Sequence, residues 1–141
     1  RIGGAEAAAR ARPWPWLELA ADATWLHGTQ GRGDDTEPAD RLPPLGGGVS
    51  ARWLRGALAV ESGVRWAAAQ HRLSARDADD PRIDPTGTPG WLVGHVGVAV
   101  AFGGFDAALS AHNVLDRRYR VHASGTDAPG LDLRALLRRR F

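Results

Sequence analysis

Alternation of apolar and polar residues with a period of two constrains this chain more than any other feature. From Leu17 to Trp25 the odd-numbered side chains are apolar, and Glu18, Asp22 and Thr24 stand between them. Because successive side chains of a strand point to opposite faces, this pattern predicts a strand with one apolar and one wet face. The pattern recurs in residues 45–55, 58–68, 90–102, 105–112 and 131–141, and more weakly in residues 2–12. The sequence therefore predicts an all-β antiparallel meander of six or seven strands in sequential order.

The prolines and the connections between these segments favour one kind of sheet. The nine prolines lie between segments or at a first strand residue, where a missing backbone donor does not interrupt pairing. The connections are alternately short (residues 11–16, 55–56 and 103–104) and long and polar (residues 28–44, 71–88 and 122–130). Short turns on one rim and long loops on the other are typical of an outer-membrane β-barrel.

Aromatic residues near the predicted strand ends are placed as a membrane girdle requires. The girdle candidates are Trp25, Trp53, Trp66, Phe102 and Phe141. Those beside long connections, Trp25 and Trp66, are expected at the outer rim together with Tyr119. Trp53, Phe102 and Phe141 are expected at the periplasmic rim.

Composition argues against several other classes. No stretch approaches the roughly 18 to 20 apolar residues of a membrane helix. The chain has no cysteine, so it has no disulfide and no thiolate ligand or nucleophile. All 18 basic residues are arginines, spread along a chain of net charge +2, so nucleic acid is not an expected partner. A soluble β-sandwich alternates equally well, but its loops are not usually long on one side only.

Three local sequences resemble motifs of TonB-dependent outer-membrane receptors. Residues 113–119 (NVLDRRY) resemble the Asn-Leu-Phe-Asp-x-x-Tyr motif of the penultimate strand. Residues 88–91 (TPGW) resemble Thr-Pro-Gly-Tyr, and residues 42–45 (LPPL) resemble the Pro-Pro element that leads a strand down from an outer loop. The order and spacing match over essentially the whole chain. The matching positions are Pro43, Pro44, Thr88, Pro89, Gly90, Asn113, Leu115, Asp116 and Tyr119.

The resemblance implies that residues 1–141 are the C-terminal part of a receptor barrel of 22 strands in the cell outer membrane, without its plug domain. Such receptors import iron–siderophore complexes, cobalamin or other scarce nutrients, with energy delivered by the TonB complex. Their other partners are outer-membrane lipid and the barrel assembly machinery, which reads a terminal aromatic residue matched here by Phe141. Arg139 departs from the pattern, because that position is usually aromatic. The alternative is a passive porin-like or structural outer-membrane barrel without a plug.

Two further expectations concern the architecture. Seven strands are fewer than the eight of the smallest closed bacterial barrel, so we expect the chain to be the last third of a longer protein. Asn113 and Asp116 are expected to bond their own backbone and close a strand end, which is an architectural role.

Candidate chemistry is sparse. The alternation places four residues toward the barrel lumen: Glu61, Arg65, His95 and His112. A metal site there is open, although solvated lumen residues are the favoured interpretation. The acidic stretch Asp77, Asp79, Asp80 and Asp84 offers oxygen ligands for Ca²⁺, but Pro81 interrupts the spacing of the known loop, which favours a solvated acidic loop. Arg32-Gly33-Asp34 carries no weight here. No Ser, His and Asp grouping suggests a nucleophile, so we expect no enzyme, no cofactor and no resident metal.

Overall fold

The computed structural model describes residues 1–32 and 35–140, and its strands form an antiparallel sheet. The strands are β1 (Ile2–Trp14), β2 (Leu17–Arg32), β3 (Asp35–Pro38), β4 (Gly46–Arg55), β5 (Leu58–Ala67), β6 (Trp91–Phe102), β7 (Phe105–His112) and β8 (Asp132–Arg139). A four-residue helix, α1 (Ala75–Ala78), lies between β5 and β6. Seven strands follow one another in sequence order, and β3 pairs with β2 off this path. The prediction of an all-β antiparallel meander is therefore confirmed.

The register of the pairs separates the side chains into two faces. Trp53 aligns with Val60, and Val60 aligns with Val98, whereas the neighbouring row aligns Arg52 with Glu61. Neighbouring rows project to opposite sides of a sheet. The polar face carries Glu18, Asp22, Arg52, Glu61, Arg65, His95, His112, Asp132 and Arg134. The apolar face carries Leu19, Val49, Trp53, Val60, Val64, Val96, Val98, Val100, Leu109, Leu133 and Leu137.

Three two-residue turns lie at one edge of the sheet. Gly103 and Gly104 have φ of 51° and 81°, a region that glycine enters without the steric cost of a side chain. The β4–β5 turn consists of Gly56 and Ala57, one residue later than the predicted turn, because Arg55 pairs with Leu58. The β1–β2 turn is Pro15-Trp16, so β1 runs further than the predicted segment 2–12 and its register shifts after Ala11.

The long connections lie at the opposite edge, and they are more ordered than predicted. Residues 28–44 are expected to form a loop, but β2 continues to Arg32 and pairs with β3 as a hairpin. Polar residues and glycines occupy both faces of this extension, so its sequence does not alternate and does not predict a strand. Residues 68–90 contain α1 and an isolated bridge between Gln70 and Thr88. The last connection begins at residue 113 rather than 122, because β7 ends at His112.

The aromatic residues divide between these two edges. Trp25 and Trp66 lie near the start of β4, at the edge with the long connections. Trp53 pairs with Leu17 and Phe102 adjoins a glycine turn, so both lie at the short-turn edge. Phe141 lies outside the described residues. The assignment of these edges to the outer and periplasmic sides stays a prediction.

Burial is concentrated in the connections and not in the sheet. Leu109 and Leu133 on the apolar face are 61% and 72% exposed. The buried non-glycine residues in the described part of the chain are Ala39, Leu42, Gln70, Ser74, Asp77, Ile83, Thr88, Asn113 and His122. Among the described residues, no helix is long and apolar enough to cross a membrane. The exposed leucines leave the apolar face of the sheet open to its surroundings.

Candidate functional site

Charged side chains on the polar face alternate in sign across neighbouring strands. Glu18 of β2 lies between Arg12 of β1 and Arg52 of β4, with N–O distances of 3.9 and 3.6 Å. Arg52 in turn aligns with Glu61 of β5. Exposed pairs of this kind contribute little to stability, but they leave the face close to neutral.

A glycine allows one pair to bridge a whole strand. Arg65 donates to both carboxylate oxygens of Asp22 (Nη1–Oδ1 3.1 Å and Nη2–Oδ2 3.3 Å), although β4 lies between their strands. The residue between them in this row is Gly48, where a Cβ would lie 3.2 Å from Arg65 Nη1. The missing side chain gives the guanidinium its path across β4.

His95 and His112 form a direct cross-strand pair. Their ring centroids lie 6.0 Å apart with an interplanar angle of 18°, and His95 Nε2 lies 3.5 Å from Glu61 Oε1. Asp132 follows His112 in the same row and accepts a 2.8 Å hydrogen bond from Arg134 Nε. The four residues predicted to face the lumen therefore share the polar face: Glu61, Arg65, His95 and His112. That this face lines a lumen stays a prediction.

The long connections pack together into a loop layer, which we define as residues 39–45, 68–90 and 113–131. Asn113 is buried and joins the two ends of the last connection. Its Nδ2 donates to Arg117 O at 2.8 Å and to Pro129 O at 3.1 Å, and its Oδ1 accepts from Arg117 N. Asn113 thus bonds local backbone as expected and also reaches a residue close to β8.

Asp116 differs from the expectation that it bonds its own backbone. Its Oδ1 accepts a 2.8 Å hydrogen bond from Leu131 N, the residue before β8. A Cβ at Gly130 would lie 2.3 Å from this oxygen, so the contact requires a glycine there. Asn113 and Asp116 both have positive φ, 50° and 49°, which short polar side chains tolerate. Together they fasten the start of β8 to the end of β7.

Residues 88–91 close the connection between β5 and β6. Thr88 exchanges two 2.9 Å backbone hydrogen bonds with Gln70, and a Cβ at Gly90 would lie 3.0 Å from Ala67 O. Trp91 and Tyr119 have ring centroids 4.7 Å apart, so this motif contacts the one at 113–119. Of the remaining motif residues, Pro43 and Pro44 precede β4, Pro89 precedes Gly90, and Leu115 is 63% exposed.

A buried polar cluster lies at the centre of the loop layer and joins all three connections. Asp77 of α1 accepts a 2.9 Å hydrogen bond at Oδ2 from the backbone N of Arg41, and its own backbone N donates to Ser74 Oγ at 3.1 Å. His122 contributes from the last connection, with Nδ1 2.8 Å from Thr88 Oγ1 and Nε2 3.9 Å from Asp77 Oδ2. We call Ser74, Asp77, Thr88 and His122 the loop cluster.

The loop cluster is electrostatically unusual. The side chains of Asp77 and His122 are each 1% exposed, and Asp77 Oδ1 and His122 Nε2 have no hydrogen-bond partner among the described residues. Burial lowers the pKa of His122, and the charge of Asp77 opposes this shift. The sequence does not predict that the hydroxyl of Thr88, the imidazole of His122 and the carboxylate of Asp77 lie together, because these positions are far apart in the chain and share no local pattern. We interpret these three residues as structural, because their burial keeps a substrate from reaching them.

The acidic stretch differs in part from the predicted solvated acidic loop, because only Asp79 and Asp84 of its four carboxylates are exposed. Asp77 is buried, whereas Asp80 pairs with Arg82 (Oδ2–Nη2 2.6 Å) and with Arg41 (3.7 Å). The hydrogen bonds from Arg82 lower the pKa of Asp80. In the described ranges 1–32 and 35–140, no group of three or more His, Cys, Asp or Glu side chains is arranged to hold a metal ion. The segment Arg32-Gly33-Asp34 lies largely outside these ranges.

Further hydrogen bonds tie the β2–β3 hairpin and the three connections to one another. Gln70 Nε2 donates to Leu42 O at 2.7 Å, and Ala75 N donates to Glu37 Oε2 at 2.6 Å. Arg120 Nη1 donates to the backbone oxygen of Arg82 at 2.6 Å. The layer is therefore held by contacts between segments far apart in sequence.

Comparison with known proteins gives a likeness of fold. No family model and no curated protein matches the sequence. Among solved structures, the copper transporter OprC is similar, with a TM-score of 0.80 and 18% sequence identity. The match covers 96% of this chain and 23% of the OprC chain. At this identity the likeness shows the fold alone: the sheet has the architecture of about a quarter of that transporter.

Proposed function

We propose that this chain is the C-terminal part of a TonB-dependent receptor barrel in the cell outer membrane, and that the barrel takes up a scarce nutrient such as an iron–siderophore complex or cobalamin. The observation that carries the proposal is the sheet itself. One face is apolar and exposed, the other is charged, and all the interlocked loops lie at one edge.

The apolar face supports a membrane location. Exposed valines and leucines lie on this face of β2, β4, β6, β7 and β8, and β5 adds the half-buried Val60 and Val64. Water is a poor solvent for such a surface. A sheet in lipid needs its backbone groups paired, which an antiparallel meander provides everywhere except at its two outer strands. The edges of β1 and β8 are therefore expected to pair with further strands of a larger barrel, which the family resemblance puts at 22 in total.

The loop layer supports a receptor over a passive channel. A porin-like barrel needs only loops that leave a path for diffusion, whereas this layer has a buried core of its own. Its motif residues Thr88, Asn113, Asp116 and Tyr119 make part of the contacts that hold it. The likeness of the fold to a copper transporter is in keeping with a transport role.

In this proposal the polar face lines the lumen and meets a plug domain. The partners are outer-membrane lipid, the TonB complex acting through the plug, the barrel assembly machinery at the C-terminal strand, and a small molecule or metal chelate as cargo. The proposal contains no catalytic step.

Uptake measured in cells carrying the complete gene tests the proposal. Labelled iron–siderophore complexes and cobalamin should accumulate only when both the gene and TonB are present, and the protein should fractionate with the outer membrane. Uptake that persists without TonB, together with steady conductance of the purified protein in a planar bilayer, would favour the passive barrel instead.

A further inference from the structure

We propose that His95 and His112, with Glu61 as a third ligand, form a binding site for a late first-row divalent metal ion such as Cu²⁺ or Zn²⁺. The site lies on the polar face, on the strands β5, β6 and β7. It rests on the proposed function only for the route by which an ion arrives, because binding itself needs no transport.

The register places the two imidazoles on directly paired residues of neighbouring strands. Phe102 and Phe105 flank a two-residue turn and therefore form a hydrogen-bonded pair. Hydrogen-bonded and non-hydrogen-bonded pairs alternate along an antiparallel ladder, so His95 and His112, seven pairs further on, form a non-hydrogen-bonded pair. The backbone hydrogen bond from Ala101 N to Ala57 O agrees with this assignment. It shows that the odd-numbered residues of β6, which include His95, direct their backbone hydrogen bonds toward β5 and not toward β7. Side chains are closer in non-hydrogen-bonded pairs than in hydrogen-bonded ones.

The third ligand comes from the strand on the other side of His95. The residue of β5 that pairs with His95 is Gly63, where a Cβ would lie 2.6 Å from His95 Cε1. Without that side chain the imidazole leans over β5, and its Nε2 lies 3.5 Å from Glu61 Oε1. Two imidazole nitrogens and a carboxylate oxygen are the donor set that suits Cu²⁺, Zn²⁺ or Ni²⁺, and the chain has no cysteine or methionine to favour softer ions.

The surroundings leave Glu61 free to bind a cation. The nearby arginines have their own partners: Arg52 pairs with Glu18, Arg65 with Asp22, and Arg134 with Asp132. In the described part of the chain, Glu61 has its ion pair with His95 alone. A shallow cavity of about 200 Å³, lined by Glu61, His95 and His112 among others, leaves room for an ion with its water ligands.

The rings do not yet converge on one point. At a centroid separation of 6.0 Å they lie nearly parallel, and no ready-made group of three ligands exists among the described residues. Binding therefore requires rotation of the two imidazoles toward each other about their side-chain bonds. The side chain of His95 is 24% exposed and that of Glu61 is 49% exposed, and His112 is half-buried, so an ion can reach all three from the polar face.

Titration of the complete purified barrel with Cu²⁺ tests the proposal, because electron paramagnetic resonance counts the nitrogens bound to copper. We expect a component with two bound imidazole nitrogens. His95→Gln and His112→Gln should each remove it and weaken copper binding at that site by about tenfold or more, since even outer-shell changes cost 10- to 100-fold. Glu61→Gln should retain the two-nitrogen signal with weaker binding.

His27→Gln is the matched control, because His27 is an exposed strand histidine away from this row. Heat-modifiable migration on a gel verifies that each variant is folded. Wild-type copper affinity and an unchanged nitrogen count in folded His95→Gln and His112→Gln would overturn the proposal. Failure of TonB-coupled uptake alongside an intact two-nitrogen signal would contradict the proposed function and leave the metal site standing.

Discussion

The sheet and the loop layer of this chain are stabilised in different ways. The strands hold each other through regular backbone pairing, yet their large side chains stay open, as with Leu109 and Leu133. The loop layer has almost no regular structure, yet it contains all the buried non-glycine residues of the described chain, including Asp77 and His122. The sheet therefore depends on the solvent outside the molecule, whereas the loop layer depends on contacts within it.

This contrast reverses the usual arrangement of a soluble protein. Loops are ordinarily exposed and mobile, and strands ordinarily supply the core. Here the buried groups are mostly polar, so the loop layer is held by specific hydrogen bonds, and each lost partner leaves a buried group unsatisfied. The two regions should therefore respond to different kinds of substitution.

The largest effect is expected for a charge on the apolar face. Leu109→Arg places a guanidinium in the middle of β7, where lipid contact would cost about 2 to 4 kcal/mol near the bilayer midplane. Urea unfolding of the complete barrel in lipid vesicles, followed by tryptophan fluorescence, measures the loss. Ala108→Arg, one residue earlier and on the polar face, should cost much less. Equal losses in the two variants would contradict the assignment of faces.

The faces were predictable from sequence because period two is a local signal. The sequence of each strand from β2 and β4 to β7 shows by itself which of its residues are on the apolar face and which are on the polar face. The register then places the apolar residues of neighbouring strands side by side. The extension of β2 to Arg32 and its pairing with β3 could not be read in this way. Glycines and polar residues on both faces of that hairpin erase the alternation.

A smaller effect, confined to the loop layer, is expected for Asp77→Ala. The backbone N of Arg41 loses its buried acceptor, which should cost about 1 to 3 kcal/mol of local stability. Hydrogen exchange by mass spectrometry should show faster exchange across residues 39–45 and 68–90, with strand amides unchanged. Asp79→Ala is the control, because Asp79 is exposed and lies at the C-terminal end of the same short helix. Faster exchange throughout the strands would show that the regions are not independent.

Acid should weaken the loop layer before the sheet. Burial lowers the pKa of His122, so the loosened layer binds the proton more tightly than the packed layer does. The stability from this group is then fully present above the ordinary histidine pKa of about 6.5 and is lost as pH falls below it. Protection factors, which correct each exchange rate for the slower intrinsic exchange of amides in acid, should show this trend between about pH 8 and pH 5, and His122→Gln should flatten it. A layer that tightens in acid would show that attraction to Asp77 outweighs burial.

The loop cluster marks the limit of what sequence reasoning reached. The motif residues Thr88, Asn113 and Asp116 were recognised, but as separate strand-end devices. Thr88 contacts His122 of a different connection, whereas Asn113 and Asp116 contact Pro129 and Leu131 at the far end of their own connection. None of these partners is close in sequence. The sequence presents Asp77 only as one member of an acidic run, because burial of a carboxylate depends on which backbone donor reaches it.

The smallest effect is expected for the pair between Asp22 and Arg65, and it tests whether the polar face is wet. The two side chains are 46% and 57% exposed, and exposed pairs typically couple by less than about 1 kcal/mol. A double-mutant cycle with Asp22→Ala and Arg65→Ala in the complete barrel isolates this coupling. If the face is solvated, the coupling should also shrink as salt is raised. A coupling well above about 1 kcal/mol that salt leaves unchanged would mean that other parts of the protein shield this face from water, because screening fails only where solvent ions are excluded.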